Sequence, residues 1–227
     1  MSFPIIFGGR SGRGGRGGGI RRIVADSWAE YHFHEGSGQV LTDMSGNGRH
    51  MQLGSTAGVD ANDPMWSVVG GIAGLTFDSD DYTLLETNLD QPFTVLMLLR
   101  SAYDNAANAG ICGQATTVCV FAMTARRLRH RYGGGSERTV GTATANTWQR
   151  VASVASGAAS FGVVESDVGA TADTGTGRPV IWRIGTLTNL AGLAMSVGAF
   201  VIVPRAMSAG EIAAAFANIY AIKGTPA

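Results

Sequence analysis

From Ile23 onward one construction repeats along the chain: a short run of β-favouring residues, then a cluster of Gly, Asn or Asp. The runs are Ala29 to His34, Gly74 to Asp78, Tyr82 to Glu86, Phe93 to Arg100, Val118 to Thr124, Arg127 to Tyr132, Thr147 to Ser153, Ser160 to Glu165, Val180 to Ile184 and Gly198 to Val203. Strands at this spacing, with turn residues between them, predict an all-β antiparallel sandwich. Phe93-Thr94-Val95-Leu96-Met97-Leu98-Leu99 is nearly all apolar, so it is expected mid-sheet with both faces covered.

One helix is predicted. Ser208-Ala209-Gly210-Glu211 is a capping box, and Ile212, Phe216, Ile219 and Tyr220 follow at helical spacing. Gly224 and Pro226 supply the stop. The helix is expected to pack on the sandwich as architecture.

The N-terminus is different in kind. Residues 8–19 read Gly-Gly-Arg-Ser-Gly-Arg-Gly-Gly-Arg-Gly-Gly-Gly, in which no side chain builds a core and glycine makes ordering costly. Ahead of it Phe3-Pro4-Ile5-Ile6-Phe7 is a compact apolar plug, suited to a neighbour's groove or a sheet edge, with a first strand returning to its own sheet the alternative. The chain therefore divides into an anchoring arm, 1–22, and a body, 23–227.

Charge follows the same division. Lys+Arg and Asp+Glu are both 17, yet residues 1–22 hold Arg10, Arg13, Arg16, Arg21 and Arg22 and no acid, which leaves the body acidic by the same amount. A basic arm on an acidic body suggests docking on something acidic: nucleic acid, or another copy of the body. No aromatic lies between Gly8 and Gly19 to stack on bases, so nucleic acid is not the expected partner. No apolar run approaches the roughly 20 residues of a membrane span, and the basic start and apolar stretch of an export signal are missing. Cytoplasmic synthesis is the expectation. With that and only Cys112 and Cys119, buried thiols are expected, although a turn centred between Ala115 and Thr116 would set the two cysteines opposite each other, close enough for a disulfide.

Several residues invite chemical readings. Arg127, Arg129 and Arg131 fall on one strand face as a cationic ladder for an anionic glycan or acidic partner, or else as the charges of an edge strand that discourage pairing. Trp66, after Asn62-Asp63-Pro64-Met65, and Tyr103, before Asp104-Asn105, are candidate aromatic platforms for a sugar, with a core role the alternative for Trp66; Trp28, Trp148 and Trp182 read as core. Asp78, Asp80 and Asp81 are candidate calcium oxygens, though they lack the helix-loop-helix spacing and equally suit a strand turn. No other cofactor is expected. Glu165 and Asp167 share a strand face without the second glutamate of a retaining glycosidase, and His32 and His34 form a same-face pair with no third ligand nearby. No catalytic residue is assigned.

Taken in order, several segments carry a resemblance: Tyr31-His32-Phe33-His34-Glu35-Gly36-Ser37-Gly38, the turn Asp43-Met44-Ser45-Gly46-Asn47-Gly48, Leu75 to Tyr82, Phe93-Thr94-Val95, Trp148 to Ala152 and Phe200 to Ile212. The set resembles the concanavalin A-like lectin/glucanase superfamily, within it the laminin-G-like jelly-roll domains of the kind found in bacteriophage virion proteins. It spans roughly residues 24–222. The resemblance implies a jelly-roll sandwich, and the chain lacks the Glu-x-Asp-x-x-Glu or Glu-x-Asp-x-x-x-Glu pattern of the superfamily's hydrolases. Together with the arm it implies a non-catalytic component of a virus-like assembly, a phage capsid decoration or tail protein on the virion surface. Its partners would be other virion proteins, copies of itself and a host-surface glycan. The alternatives are a free carbohydrate-binding module and, third, a glycan hydrolase.

Overall fold

The computed structural model describes residues 21–102, 108–115, 118–133 and 135–226. In chain order the strands are β1 (Ala29–Tyr31), β2 (Val40–Leu41), β3 (Met51–Leu53), β4 (Met65–Val69), β5 (Ile72–Phe77), β6 (Tyr82–Leu85), β7 (Phe93–Ser101), β8 (Ala109–Ala115), β9 (Val118–Thr124), β10 (Arg127–Tyr132), β11 (Arg138–Thr142), β12 (Trp148–Ala155), β13 (Phe161–Val164), β14 (Asp167–Val168), β15 (Trp182–Gly185) and β16 (Met195–Val203), followed by the helix α1 (Ala209–Lys223). They form two antiparallel sheets. The first runs β14-β13-β12-β7-β16-β5-β4, with β1 also on β16, and the second β11-β10-β9-β8-β15-β6-β3-β2. The expected β-sandwich with one C-terminal helix is what the chain forms.

The period of two in β7 decides the layering. Phe93, Val95, Met97 and Leu99 point between the sheets, where they meet Phe77, Phe121, Tyr132, Trp182 and Phe200. Leu96 and Leu98 point the other way, toward Ile212, Phe216 and Ile219 of α1. β7 pairs β12 on one side and β16 on the other, so an unbroken apolar strand is the only kind that suits the place. Trp182 sits fully buried with its ring edge-on to Phe93, centroids 5.4 Å apart. Gly74 of β5 is required by packing: a Cβ there would lie 2.3 Å from the Val197 carbonyl oxygen.

The capping box forms as the sequence predicts. Ser208 Oγ accepts from Glu211 N–H at 3.3 Å and Glu211 Oε2 accepts from Ser208 N–H at 2.8 Å. Arg205 then bridges Glu211 and Asp26, each at 2.7 Å, fastening the helix start to the N-terminal side of β1. Replacing Ser208 by alanine is expected to cost about 1 kcal/mol in urea unfolding, and an unchanged midpoint would show that Arg205 alone holds this corner.

Some expectations need correction. β1 ends at Tyr31, because Phe33 takes a positive φ of 53° and turns the chain; His32 and His34 are therefore not a strand-face pair. His32 is buried against Glu30, while His34 is exposed. Glu165 is not on a strand face either: it takes a φ of 55° between β13 and β14, and both its oxygens serve Arg150. β10 is not an edge strand, since β9 and β11 flank it. Cys112 and Cys119 do not oppose each other. Bulges in the β8–β9 hairpin set Cys112 opposite Phe121 and Gly113 opposite Cys119, which turns the first thiol into the core and the second to the outer face. No disulfide joins them and both thiols are buried, which agrees with the expectation of buried thiols. Trp28 is only half-buried, with the Arg49 guanidinium 4.2 Å over its ring.

The junction between arm and body is built from polar groups. Glu30 is fully buried and accepts from Ile23 N–H at 2.6 Å, Val24 N–H at 3.3 Å and Ser27 Oγ at 2.9 Å, with His32 Nε2 at 2.7 Å. Arg22 donates to Ser27 Oγ at 2.7 Å, so the body already engages a residue assigned to the arm. The predicted Asp43 turn lies alongside. Asp43 accepts from Glu30, Ser45 and Arg49 backbone N–H groups, and Gly46 and Gly48 take the positive φ values of 81° and 72°.

Candidate functional site

Three connections meet at the end of the sandwich where β4 begins and β5 ends. In the first, Asp60 Oδ1 accepts from Asn62 N–H and Asp63 Oδ2 from Asp60 N–H, both at 2.9 Å, which curls residues 60–63 into a turn. In the second, Asp81 Oδ2 accepts from Asp78 N–H at 2.8 Å and Asp78 Oδ1 from Asp80 N–H at 3.1 Å, closing the turn from β5 into β6. Asn62 Nδ2 reaches Asp80 Oδ2 at 3.3 Å and joins the two. The third, Gly36 to Gln39, is held by the Trp66 indole N–H, which donates to the Gly38 carbonyl at 2.9 Å.

Between them lies a cleft of about 570 Å³. Trp66, Met65, Pro64, Val59, Leu53 and Phe77 give it apolar walls, and Asp60, Asp63, Asp78 and Asp81 give it carboxylates. No Arg, Lys or His lines it among the described residues. Burial pushes the Asp81 carboxyl up to about 6, and the charges of Asp78 and Asp80 add to the shift against the hydrogen bond from Asp78. Asp63 is 8% exposed and its Oδ1 has no hydrogen-bond partner among the described residues. A cavity of this make-up favours ligands that donate hydrogen bonds or carry positive charge, and opposes anions.

The structure brings some predicted residues here and leaves others apart. Trp66 is a half-buried wall of the cleft and is packed partly on the core. Asp78, Asp80 and Asp81 stand together with ligand atoms within 4.8 Å of one another. As a calcium set they offer three carboxylates where about six to eight oxygens are wanted, and Asp78 and Asp81 already close their own turn. Arg127, Arg129 and Arg131 do share the outer face of β10, but Arg129 is engaged by Glu137 and Asn108. β10 lies four strands from β6 in its sheet, so this ladder and the cleft are separate surfaces. Tyr103 and the arm residues Phe3, Ile5, Ile6, Phe7, Arg10, Arg13 and Arg16 lie outside the described residues.

Sequence reasoning gave no site role to Asp60 or to the Gly36–Gln39 wall, and read Asp63 and Met65 only as the loop before Trp66. A signal was present for β4: Trp66-Ser67-Val68-Val69-Gly70-Gly71-Ile72 is a β run, a two-glycine turn and a second run, which reads as a hairpin. Nothing local marks the acidic turns as neighbours, because 60–63 and 78–81 meet only through sheet pairing.

No protein-family model matches the chain, and no curated protein matches it in sequence. Solved structures do share its fold. Trypanosoma rangeli sialidase superposes with a TM-score of 0.59 at 14% identity, over 89% of this chain and 34% of that one. The binding domain of botulinum neurotoxin DC, in complex with rat synaptotagmin II, gives 0.63 at 11% identity, over 86% and 52%. A botulinum neurotoxin type C structure, whose cell entry is described as dependent on two ganglioside molecules, gives 0.63 at 11%, over 86% and 51%. The chain thus spans about a third to a half of the proteins it resembles. At such identities the likeness is one of architecture, and architecture is what it establishes: this chain folds as an antiparallel β-sandwich.

Proposed function

We propose that the chain is a non-catalytic carbohydrate-recognition domain of the laminin-G-like type, with the sugar seated in the cleft beside Trp66. The observation that carries the reading is the cleft itself: an indole wall whose N–H is already occupied, apolar neighbours, and four carboxylates able to accept from hydroxyl groups. A sialidase in complex with sialic acid and a neurotoxin that interacts with gangliosides share the fold, which supports sugar recognition as a use for it. The charge of this cleft selects within that class. Four aspartates with no basic residue lining the cleft among the described residues suit neutral or amino sugars and oppose the carboxylate of a sialylated one.

The competing reading is hydrolysis. Asp78 and Asp81 have carboxyl oxygens within 4.8 Å, and their environments move the two apart, Asp81 up and Asp78 down. Against it, each carboxylate is committed to the backbone of the turn it closes. Nothing among the described residues favours a virion component over a free module.

The test is a glycan array with neutral, amino and sialylated sugars, followed by titration of the best binder. Trp66→Ala is expected to weaken binding at least about tenfold, roughly 1.4 kcal/mol, with an unchanged circular dichroism spectrum. Absence of binding to any sugar, or equal binding by the variant, would remove the proposal. Turnover of glycosides by the native protein, lost in Asp81→Asn, would replace it with hydrolysis.

A further inference from the structure

Among the described residues the sheet orders end on β14 and β4 in the first sheet and on β11 and β2 in the second, and β1, three buried residues long, is paired on one side by β16. β11 starts with Arg138, β14 with Asp167, and β2 is two residues long. Charge and shortness are the usual protections of an edge against further pairing. β4 has neither. Its five residues carry no charge, and Met65 and Val68 are 68% and 71% exposed. Met65 and Trp66 at its start are also walls of the acidic cleft, so an open apolar edge runs directly into a cluster of carboxylates. Within that cluster Asp63 holds a buried oxygen that lacks a donor among the described residues, a state that native structures rarely leave uncompensated.

Such a surface is complementary to an extended apolar segment followed by cations, and the chain carries one. Phe3-Pro4-Ile5-Ile6-Phe7 precedes Arg10 and Arg13. In an extended conformation Phe3, Ile5 and Phe7 share one face, and Arg10 follows Phe7 by roughly 10 Å. We propose that the N-terminal arm docks on its own body, with Phe3 to Phe7 added to the β4 edge and Arg10 and Arg13 entering the cleft.

The tether fits this arrangement. The arm leaves the body at Ile23, near the end of β16 where Ala29 pairs Ile202, whereas the cleft residue Phe77 pairs Met195 at the other end. The separation is roughly 23 Å along β16 and, with β4 two strands to the side, roughly 25 Å in all. With Arg13 in the cleft, the ten-residue coil from Arg13 to Ile23 has an r.m.s. span of about 16 to 19 Å and a full extension of about 33 Å, so it reaches. A short tether that reaches its site gives an effective concentration on the order of millimolar, so the chain's own arm outcompetes that of a second copy. The inference does not depend on the sugar reading. It adds that any ligand of the cleft must displace a tethered competitor.

The experiment uses the full chain in two forms: native, and arm-disabled by Ile5→Asp with Phe7→Asp, which leave the body untouched. A fluorescent peptide of residues 1–20 is titrated into each by anisotropy, with light scattering to give the mass in solution. The arm-disabled protein is expected to bind the peptide, and the native protein to bind it at least about tenfold more weakly because its site is filled. In the arm-disabled background, Met65→Asp and, separately, Asp63→Asn are each expected to weaken the peptide about tenfold. Equal binding by both forms, no binding by the arm-disabled form, or a native dimer that the arm substitutions convert to monomer would each overturn docking on the chain's own body.

Discussion

Glu30→Ala is expected to destabilise the protein by about 3 to 5 kcal/mol in urea unfolding at pH 7. The carboxylate is fully buried and serves the Ile23 and Val24 N–H groups, Ser27 Oγ and His32 Nε2. Truncation leaves these groups dry and unpaired, and each orphaned donor carries a desolvation cost of about 1 to 3 kcal/mol that is not additive with the others. Burial pushes the Glu30 carboxyl up, but the hydrogen bonds from His32, Ile23 and Ser27 outweigh it and hold the group below the usual carboxylate range. Its contribution is therefore present at neutral pH and is lost as pH falls through that depressed value. The loss should be local in one measurable respect. Ile23 also accepts from Asn218 Nδ2 of α1 at 2.9 Å, so hydrogen exchange at Ile23 and Val24 should lose protection first. Glu30→Gln, which retains one acceptor oxygen, should lose less. A change under about 1 kcal/mol for the alanine variant would mean that water replaces the carboxylate, and that the junction is not dry.

Acid is expected to weaken the fold through His130. Its ring is 2% exposed, with Nδ1 2.7 Å from Ser153 Oγ, and the Tyr132 hydroxyl lies 2.5 Å from the same oxygen. Burial pushes the imidazole down to about 4, against about 6.5 in an unfolded chain. Between those values the unfolded chain binds a proton that the folded one refuses. Stability is thus full above pH 6.5 and falls as pH drops toward 4, by about 3 kcal/mol at most. Asp81 acts in the opposite sense. Its carboxyl, pushed up to about 6, takes a proton in the folded state first and offsets part of the loss. The His130 contribution is isolated by comparing the native protein with His130→Gln in urea unfolding from pH 7 to 4. The native protein should lose about 3 kcal/mol more than the variant over this range. Parallel pH profiles would refute the assignment.

Much of the architecture was legible because it depends on local pattern. The Phe93 to Leu99 run became the central strand of the first sheet, and the Ser208 capping box opened the helix where expected. Val118–Thr124 and Arg127–Tyr132 are strands with the predicted bounds. Errors fell where one residue's backbone overrides its neighbours. Phe33 and Glu165, with positive φ, end runs that composition would have extended. Bulges between Gly110 and Ala115 likewise shift the hairpin register and turn Cys119 away from Cys112. Lys223, the one lysine, marks the last turn of the helix as a basic residue should, yet tertiary packing buries it against the His32 carbonyl at 2.5 Å.

The candidate site divides along the same line. Trp66 and the Asp78, Asp80 and Asp81 group were visible as residue types with chemical potential, and alternation alone placed three arginines on one face of β10. That Asp60 and Asp63 stand with Asp78 and Asp81, that Gly38 braces Trp66, and that β4 ends its sheet with an open apolar edge came only from the folded chain. The reason is physical. A strand's period and a turn's chemistry are written within a few residues, whereas strand order is chosen by the simultaneous burial of many side chains from distant segments, and a cleft exists only where that order brings loop ends together.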